Sequence, residues 1–166
     1  MKLWNGDTLR LVIFDWGDTL MRDYPDKPGP MYTWDRVEEI PGARQLLEYL
    51  SKKYSLCVAT NAGVSDTEAM RMALQRVNLE SYFSGFFSSK DLGVAKPDPG
   101  FFLHICRKMQ VRPKETLMVG NDYQKDVEGA ARAGLHTVFF NKNQQEGAYP
   151  QADIVISHLF ELISII

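Results

Sequence analysis

The apolar positions fall into short continuous runs separated by stretches in which they recur every three or four residues. Leu11-Val12-Ile13-Phe14 runs straight into Asp15. A short run of this kind reads as a strand buried on both faces, as in the middle of a parallel sheet. Further strands are expected at Ser55-Leu56-Cys57-Val58-Ala59-Thr60, residues 85–88, Thr116-Leu117-Met118-Val119, residues 136–140 and residues 153–156. Helix patterns lie between them. Pro41 opens one that puts Ala43, Leu46, Leu47 and Leu50 on a single face. Ser65 or Asp66 caps the next, with Glu68 in its first turn and Met70, Leu74 and Val77 sharing a face. A third, from Asp98 or Pro99 to about Gln110, buries Phe102, Ile105 and Met109. A fourth starts near Gln124 and stops at Gly134, a residue suited to a left-handed helix end. Ser157 is expected to cap a terminal helix, whose apolar tail docks on the sheet's own core or on another subunit. Strands alternating with helices imply an α/β fold with a parallel sheet covered on both faces. No repeat or low-complexity segment divides residues 1–166, which read as a single domain.

One segment breaks the alternation. Residues 21–40 are rich in Pro, Gly, Asp and Tyr, and Asp23-Tyr24-Pro25-Asp26-Lys27-Pro28-Gly29-Pro30 excludes a regular helix or central strand. About twenty residues of irregular chain are uncommon in a compact domain, and such loops are often functional. A short helical turn is expected within residues 34–40. Arg22, Tyr24, Lys27, Tyr32 and Trp34 offer stacking and charge, although a loop packed on the surface would look the same. Residues 90–99 form a second, polar loop containing Lys96-Pro97-Asp98-Pro99.

Composition narrows the function classes. With 166 residues, 45% hydrophobic and 24% charged, the chain can bury one substantial core. A net charge of −2 and the lack of any basic run argue against nucleic-acid binding. Residues 1–7 lack the apolar core of a signal peptide, and no stretch reaches the length of a membrane span. Cys57 and Cys106 lie in apolar surroundings without metal-ligand spacing. They read as reduced core residues of a cytoplasmic protein, with a disulfide left open at this stage.

The candidate chemistry gathers where strands end. In open α/β sheets, ligands bind beyond the carboxyl ends of the strands. Asp15 follows the first strand, Thr60 and Asn61 end the second, Lys96 lies in the loop after the third, and Asp122 with Asp126 follows the fourth. Neighbouring strands would open all of these onto one crevice. A carboxylate can attack phosphorus to form an aspartyl phosphate. A hydroxyl and an ammonium can hold phosphoryl oxygens, and paired carboxylates with a carbonyl suit Mg²⁺. Each residue has a plainer reading: a hydrogen-bonded turn at Asp15, a cap at Thr60, a solvated Lys96, and carboxylates at a helix N-terminus for Asp122 and Asp126. Coincidence at all four strand ends is much less expected than at one.

The arrangement resembles the haloacid dehalogenase superfamily over about residues 10–140. The resemblance is carried by Ile13-Phe14-Asp15 with Thr19-Leu20, by Val58-Ala59-Thr60-Asn61, by Gly93 and Lys96-Pro97, and by Val119-Gly120-Asn121-Asp122 with Asp126-Val127-Glu128-Gly129-Ala130. It implies a Rossmann-like three-layer sandwich with a mainly parallel sheet and no large cap domain, residues 21–40 serving as an active-site loop or minimal cap. By the same resemblance Asp15 is the nucleophile and a Mg²⁺ ligand, and the Gly17 carbonyl also serves the metal. Thr60 and Asn61 bind the phosphoryl group, and Lys96 neutralises charge. Asp122 and Asp126 are further metal carboxylates, Asn121 being able to exchange roles with Asp122.

One departure stands out. Family phosphatases usually carry a second aspartate two residues after the nucleophile, which protonates the leaving group. Here that position is Gly17, and an acid follows one residue later as Asp18. Losing a general acid lowers a rate by roughly two to four orders of magnitude. Asp18 is therefore a candidate catalytic group, although a one-residue shift is expected to turn it away to stabilise the loop. Dehalogenases and phosphonoacetaldehyde hydrolase in the family also lack the second aspartate. The retained carboxylates speak against the first, and the shortness of residues 21–40, too small for a helical cap bearing a lysine, against the second. The expectation is a Mg²⁺-dependent phosphatase acting on a small phosphorylated metabolite, monomeric or homo-oligomeric, without membrane or nucleic-acid partners. The alternative is a weak or inactive member that binds metal or phosphate in a regulatory role.

Overall fold

The structure, a computed structural model, describes residues 8–61 and 63–166. Residues 1–7, which bear on the signal-peptide expectation, and Ala62 lie outside the described residues. Six strands form one parallel sheet: β1 (Leu11–Phe14), β2 (Ser55–Thr60), β3 (Gly85–Ser88), β4 (Thr116–Gly120), β5 (His136–Phe140) and β6 (Ile154–Ile156). Their order is β3-β2-β1-β4-β5-β6. The chain steps outward from β1 through β2 to β3, then returns to lay β4 against the other side of β1. The boundary between β1 and β4 is thus the topological switch point, where a ligand crevice opens.

The helices are α1 (Ala43–Leu50), α2 (Thr67–Arg76), α3 (Ser89–Leu92), α4 (Pro99–Lys108) and α5 (Gly129–Arg132). They explain why the strand sequences are continuously apolar. Val12, Phe14, Val58 and Val119 share a core with Leu46, Leu47 and Leu50 of α1 and Met70 and Leu74 of α2. Leu11, Ile13, Cys57 and Met118 share the opposite core with Phe101, Phe102 and Ile105 of α4 and Ala130 of α5. Fully burying one such Leu, Ile or Phe contributes about 1.5–3 kcal/mol, so neither face tolerates alternation. In register, Phe14 lies level with Val58 and Val119. Asp15 therefore emerges one residue beyond the middle of the sheet, and its N–H still donates to the Val119 carbonyl at 3.0 Å.

Four local expectations change. The helical turn of the long loop lies at Met31–Thr33 and not within residues 34–40. Part of the second polar loop is helical, because Ser88 caps α3 by accepting from the Asp91 N–H at 3.3 Å. The helix before Gly134 opens with a π-wound segment, Tyr123–Glu128, that leads into α5. The terminal helix is a 3₁₀ segment, Leu159–Ser164, and Ser157 does not cap it. Instead Glu161 reaches back to accept from the Ser157 N–H at 3.0 Å and the His158 N–H at 2.6 Å. Leu159 and Leu162 are buried in the chain's own core. Cys57 and Cys106 are free and buried, and burial pushes the Cys57 thiol up to about 12. Among the described residues, no helix is long and apolar enough to cross a membrane.

Candidate active site

Asp15, Thr60, Lys96, Asn121, Asp122 and Asp126 all line one crevice of about 250 Å³ at the carboxyl end of the sheet. Its centre is Lys96, which is almost fully buried. The ammonium donates to Asp126 Oδ1 at 2.7 Å, Asp15 Oδ1 at 2.8 Å and the Ala59 carbonyl at 3.2 Å. Those three acceptors match its three protons. Burial alone would favour loss of the proton, but the carboxylates of Asp126 and Asp15 outweigh it and hold Lys96 above the usual lysine value. Burial and the Asp15 charge raise the Asp126 carboxyl, against the pull of Lys96 and the Asp122 N–H.

Local chain geometry puts the lysine there. The Asn61 carboxamide grips the main chain of Lys96 at both ends: Nδ2 donates to the Lys96 carbonyl and Oδ1 accepts from the Lys96 N–H, each at 2.8 Å. The side chain expected at the phosphate is thus used to place the lysine. A Cβ on Gly129 would lie 2.8 Å from the Pro97 carbonyl, so glycine lets the lysine loop come close. A Cβ on Gly120 would overlap the Asp126 carboxylate, so glycine at the end of β4 leaves room for it.

Asn121, Asp122 and Asp126, the polar residues after β4, have different hydrogen-bond partners. Asp126 Oδ2 accepts from the Asp122 N–H at 3.0 Å, so both of its oxygens are engaged, one by Lys96 and one by the main chain. Asp122 caps the π-wound segment, accepting from the Lys125 N–H at 2.9 Å. Asn121 is the residue that meets the other Asp15 oxygen. One end of its amide stands 2.8 Å from Asp15 Oδ2, 3.2 Å from the Gly17 carbonyl and 2.9 Å from Thr19 Oγ1. With nitrogen inward, its two N–H protons are shared among the three. With oxygen inward, three oxygens from Asp15, Gly17 and Asn121 face one another, an arrangement that calls for a cation. Thr19, unassigned by sequence beyond its motif, donates to Asp15 Oδ2 at 3.1 Å.

Asp18 adopts a left-handed backbone, with φ of 59°. Its carboxylate pairs with Lys142 Nζ at 2.8 Å and accepts from the Asp23 N–H at 3.4 Å. Asp23 lines the crevice too. Its carboxyl is raised, first by partial burial and then by the Asp18 and Asp15 charges. Beyond it, residues of the long loop close a second cavity of about 220 Å³, lined by Trp16, Tyr24, Lys27 and Trp34. Lys27 Nζ lies 5.1 Å from the Tyr24 ring centre and 5.5 Å from that of Trp34. Arg76 of α2 fixes the loop by donating to the carbonyls of Tyr32, Trp34 and Asp35.

A family model for haloacid dehalogenase-like hydrolases matches residues 29–134, more than half of the chain. The chain belongs to the haloacid dehalogenase-like hydrolase family. It is 30% identical over 140 residues to the glyceraldehyde 3-phosphate phosphatase of Pyrococcus furiosus, covering 78% of this chain and 55% of that protein. It is 32% identical over 117 residues to a pyrimidine 5'-nucleotidase of Streptococcus pneumoniae, covering 69% and 48%. The chain thus spans about half the length of these relatives. In fold it is similar to the HAD-hydrolase YfnB of Bacillus subtilis, solved with magnesium bound, with a TM-score of 0.78, 19% identity and coverage of 96% and 99%.

Proposed function

We propose that the protein is a cytoplasmic, Mg²⁺-dependent phosphatase that hydrolyses a small phosphorylated metabolite through an aspartyl phosphate on Asp15. The observation that carries this reading is the buried Lys96 ammonium, bonded at once to Asp15 and Asp126 where the sheet opens. Asp15 supplies the nucleophile. Lys96 offsets the charge of the carboxylate and of an incoming phosphoryl group, a requirement that dominates such transfers. Thr60, at the end of β2, faces the same crevice with a hydroxyl for a phosphoryl oxygen. Asp126 keeps Lys96 charged and placed, and Asn61 fixes its main chain. Residues 21–40 act as a minimal cap, and the cavity they close takes the body of the substrate. The relatives are named for phosphorylated substrates, which supports the substrate class.

The donors for Mg²⁺ are Asp15 Oδ2, the Gly17 carbonyl and the Asn121 side-chain oxygen, all hard oxygens. When bound, the ion would withdraw negative charge from the phosphoryl oxygens. Among the described residues, no group of three or more His, Cys, Asp or Glu is placed to hold a metal, and this set contains a single carboxylate. Weak Mg²⁺ affinity follows. Asn121→Asp should tighten Mg²⁺ binding by about tenfold or more in calorimetry, since ligand charge sets affinity in such sites. The same variant should melt lower than the parent without Mg²⁺ and recover when it is added. Unchanged affinity would show that Asn121 is no ligand.

The direct test is a screen of phosphorylated metabolites and para-nitrophenyl phosphate with several divalent metals. Turnover that needs Mg²⁺, and a trapped phospho-aspartate, are expected. Gly17 and the single carboxylate favour a second reading, in which the protein binds phosphate or metal without turnover. Calorimetric binding with no hydrolysis of any ester at high enzyme concentration would establish that reading instead.

A further inference from the structure

A phosphatase of this kind needs a proton at the leaving oxygen, and neither Gly17 nor Asp18 is placed to give it. Gly17 has no side chain, and the Asp18 carboxylate, although it lines the crevice, is held in an ion pair with Lys142. The space beside Gly17 is nevertheless not empty of acid. The three atoms nearest to a Cβ built on Gly17 all belong to Asp23: its Cβ at 3.6 Å, Oδ2 at 3.7 Å and Cγ at 3.8 Å. From this geometry we infer that Asp23 is the general acid and base of the reaction, reaching from the loop into the place that the missing aspartate would fill. This assignment rests on the phosphatase reading above.

The turn that brings Asp23 there is visible in the backbone. The Asp18 N–H donates to the Met21 carbonyl at 2.6 Å, and Gly17 and Met21 form a bridge. Met21 in turn bridges to Glu39, which ties the far end of the loop. The left-handed conformation of Asp18 lets the chain double back. Its carboxylate then accepts from the Asp23 N–H. Asp18 is in this sense a positioning residue for Asp23.

Location supports the role as strongly as proximity does. Gly17, Asp23, Thr60 and Asn61 line both the crevice around Asp15 and the loop cavity beside Tyr24 and Trp34. An ester with phosphorus at Asp15 and its body in the loop cavity must run its bridging oxygen along this border. In the first step an Asp15 oxygen bonds to phosphorus and the bond to the leaving oxygen breaks. That oxygen keeps the electron pair and takes the proton from the Asp23 carboxyl. In the second step the Asp23 carboxylate takes a proton from water, and the water oxygen bonds to phosphorus. The Asp15–phosphorus bond breaks, releasing inorganic phosphate and restoring both residues.

The experiment measures kcat/KM with Mg²⁺ on an alkyl phosphate and on 2,4-dinitrophenyl phosphate. This parameter reports phosphoryl transfer to Asp15, the step in which the leaving group departs. Asp23→Asn should lower the alkyl-to-aryl ratio by about a hundredfold, because only the alkoxide needs the proton. Adding Gly17→Asp to that variant should restore the ratio to within about tenfold of the parent, since the new side chain enters the same space. Asp26→Asn, outside both cavities, should leave the ratio unchanged. If Asp23→Asn lowers both substrates equally, or neither, Asp23 is not the proton donor. If the parent protein turns over neither ester, the phosphatase reading fails and this assignment falls with it.

Discussion

Lys96→Met should abolish turnover and destabilise the fold at the same time. The variant leaves Asp15 and Asp126 buried side by side with no counter-charge, since Lys96 is the ammonium bonded to both. Removing one partner of a buried ion pair costs about 3–5 kcal/mol, because the other is left uncompensated. For a chain of this size that lowers Tm by about 10 °C. Activity should fall by roughly three orders of magnitude, as when a charge-stabilising donor is removed from a transfer site. The stability loss carries a sign with pH. The Asp126 carboxyl is already raised in the folded chain, and without Lys96 it rises further. In both chains the unfolded carboxyl ionises first, so both lose stability through the ordinary carboxylate range and the gap between them stays nearly constant there. Above about 7 the parent's folded Asp126 ionises beside Lys96 while the variant's does not, and the gap widens. Thermal melts from about pH 4 to about pH 9 read this directly. Adding Asp126→Asn should return most of the lost Tm and none of the activity. A uniform loss across pH, not relieved by the second substitution, would mean that Lys96 matters for packing and not for charge.

The fold was legible because its strands are buried on both faces. Runs such as Leu11-Val12-Ile13-Phe14 have no polar alternation to misread, and the caps at Asp66 and Asp98 announce their helices. The crevice was legible for the same reason, since polar residues directly after such runs must gather at one edge. What sequence could not resolve depends on winding. Whether Asn121 or Asp122 meets Asp15 turns on a single residue of phase, and the π-wound Tyr123–Glu128 segment sets how Asp122 and Asp126 are presented. Asn61 sits within a recognisable motif, yet its amide is used on the lysine main chain, a contact between residues 35 apart in the chain. Asp23 was hidden among loop acids because its place depends on one left-handed residue, Asp18, that no periodicity signals.

Asp15→Asn should separate function from stability in the opposite way to Lys96→Met. The substitution keeps size and shape, and the amide can still accept from Thr19, which lies 3.1 Å from Asp15 Oδ2. It removes the nucleophile, so no phospho-aspartate can form, and turnover should fall by roughly four orders of magnitude or more. It also removes one of two carboxylates that share a single buried ammonium. Lys96 is then matched one to one by Asp126, its closest partner at 2.7 Å. The repulsion that raises Asp126 is relieved, so the variant should melt at the parent temperature or a few degrees above it, about 2–4 °C for each kcal/mol recovered. Such a gain on disabling a site is the expected trade between activity and stability. The measurement pairs a melting curve with a phosphatase assay. An inactive variant that melts about 10 °C lower would instead make Asp15 a structural anchor for Lys96, and the crevice would lose its claim to chemistry.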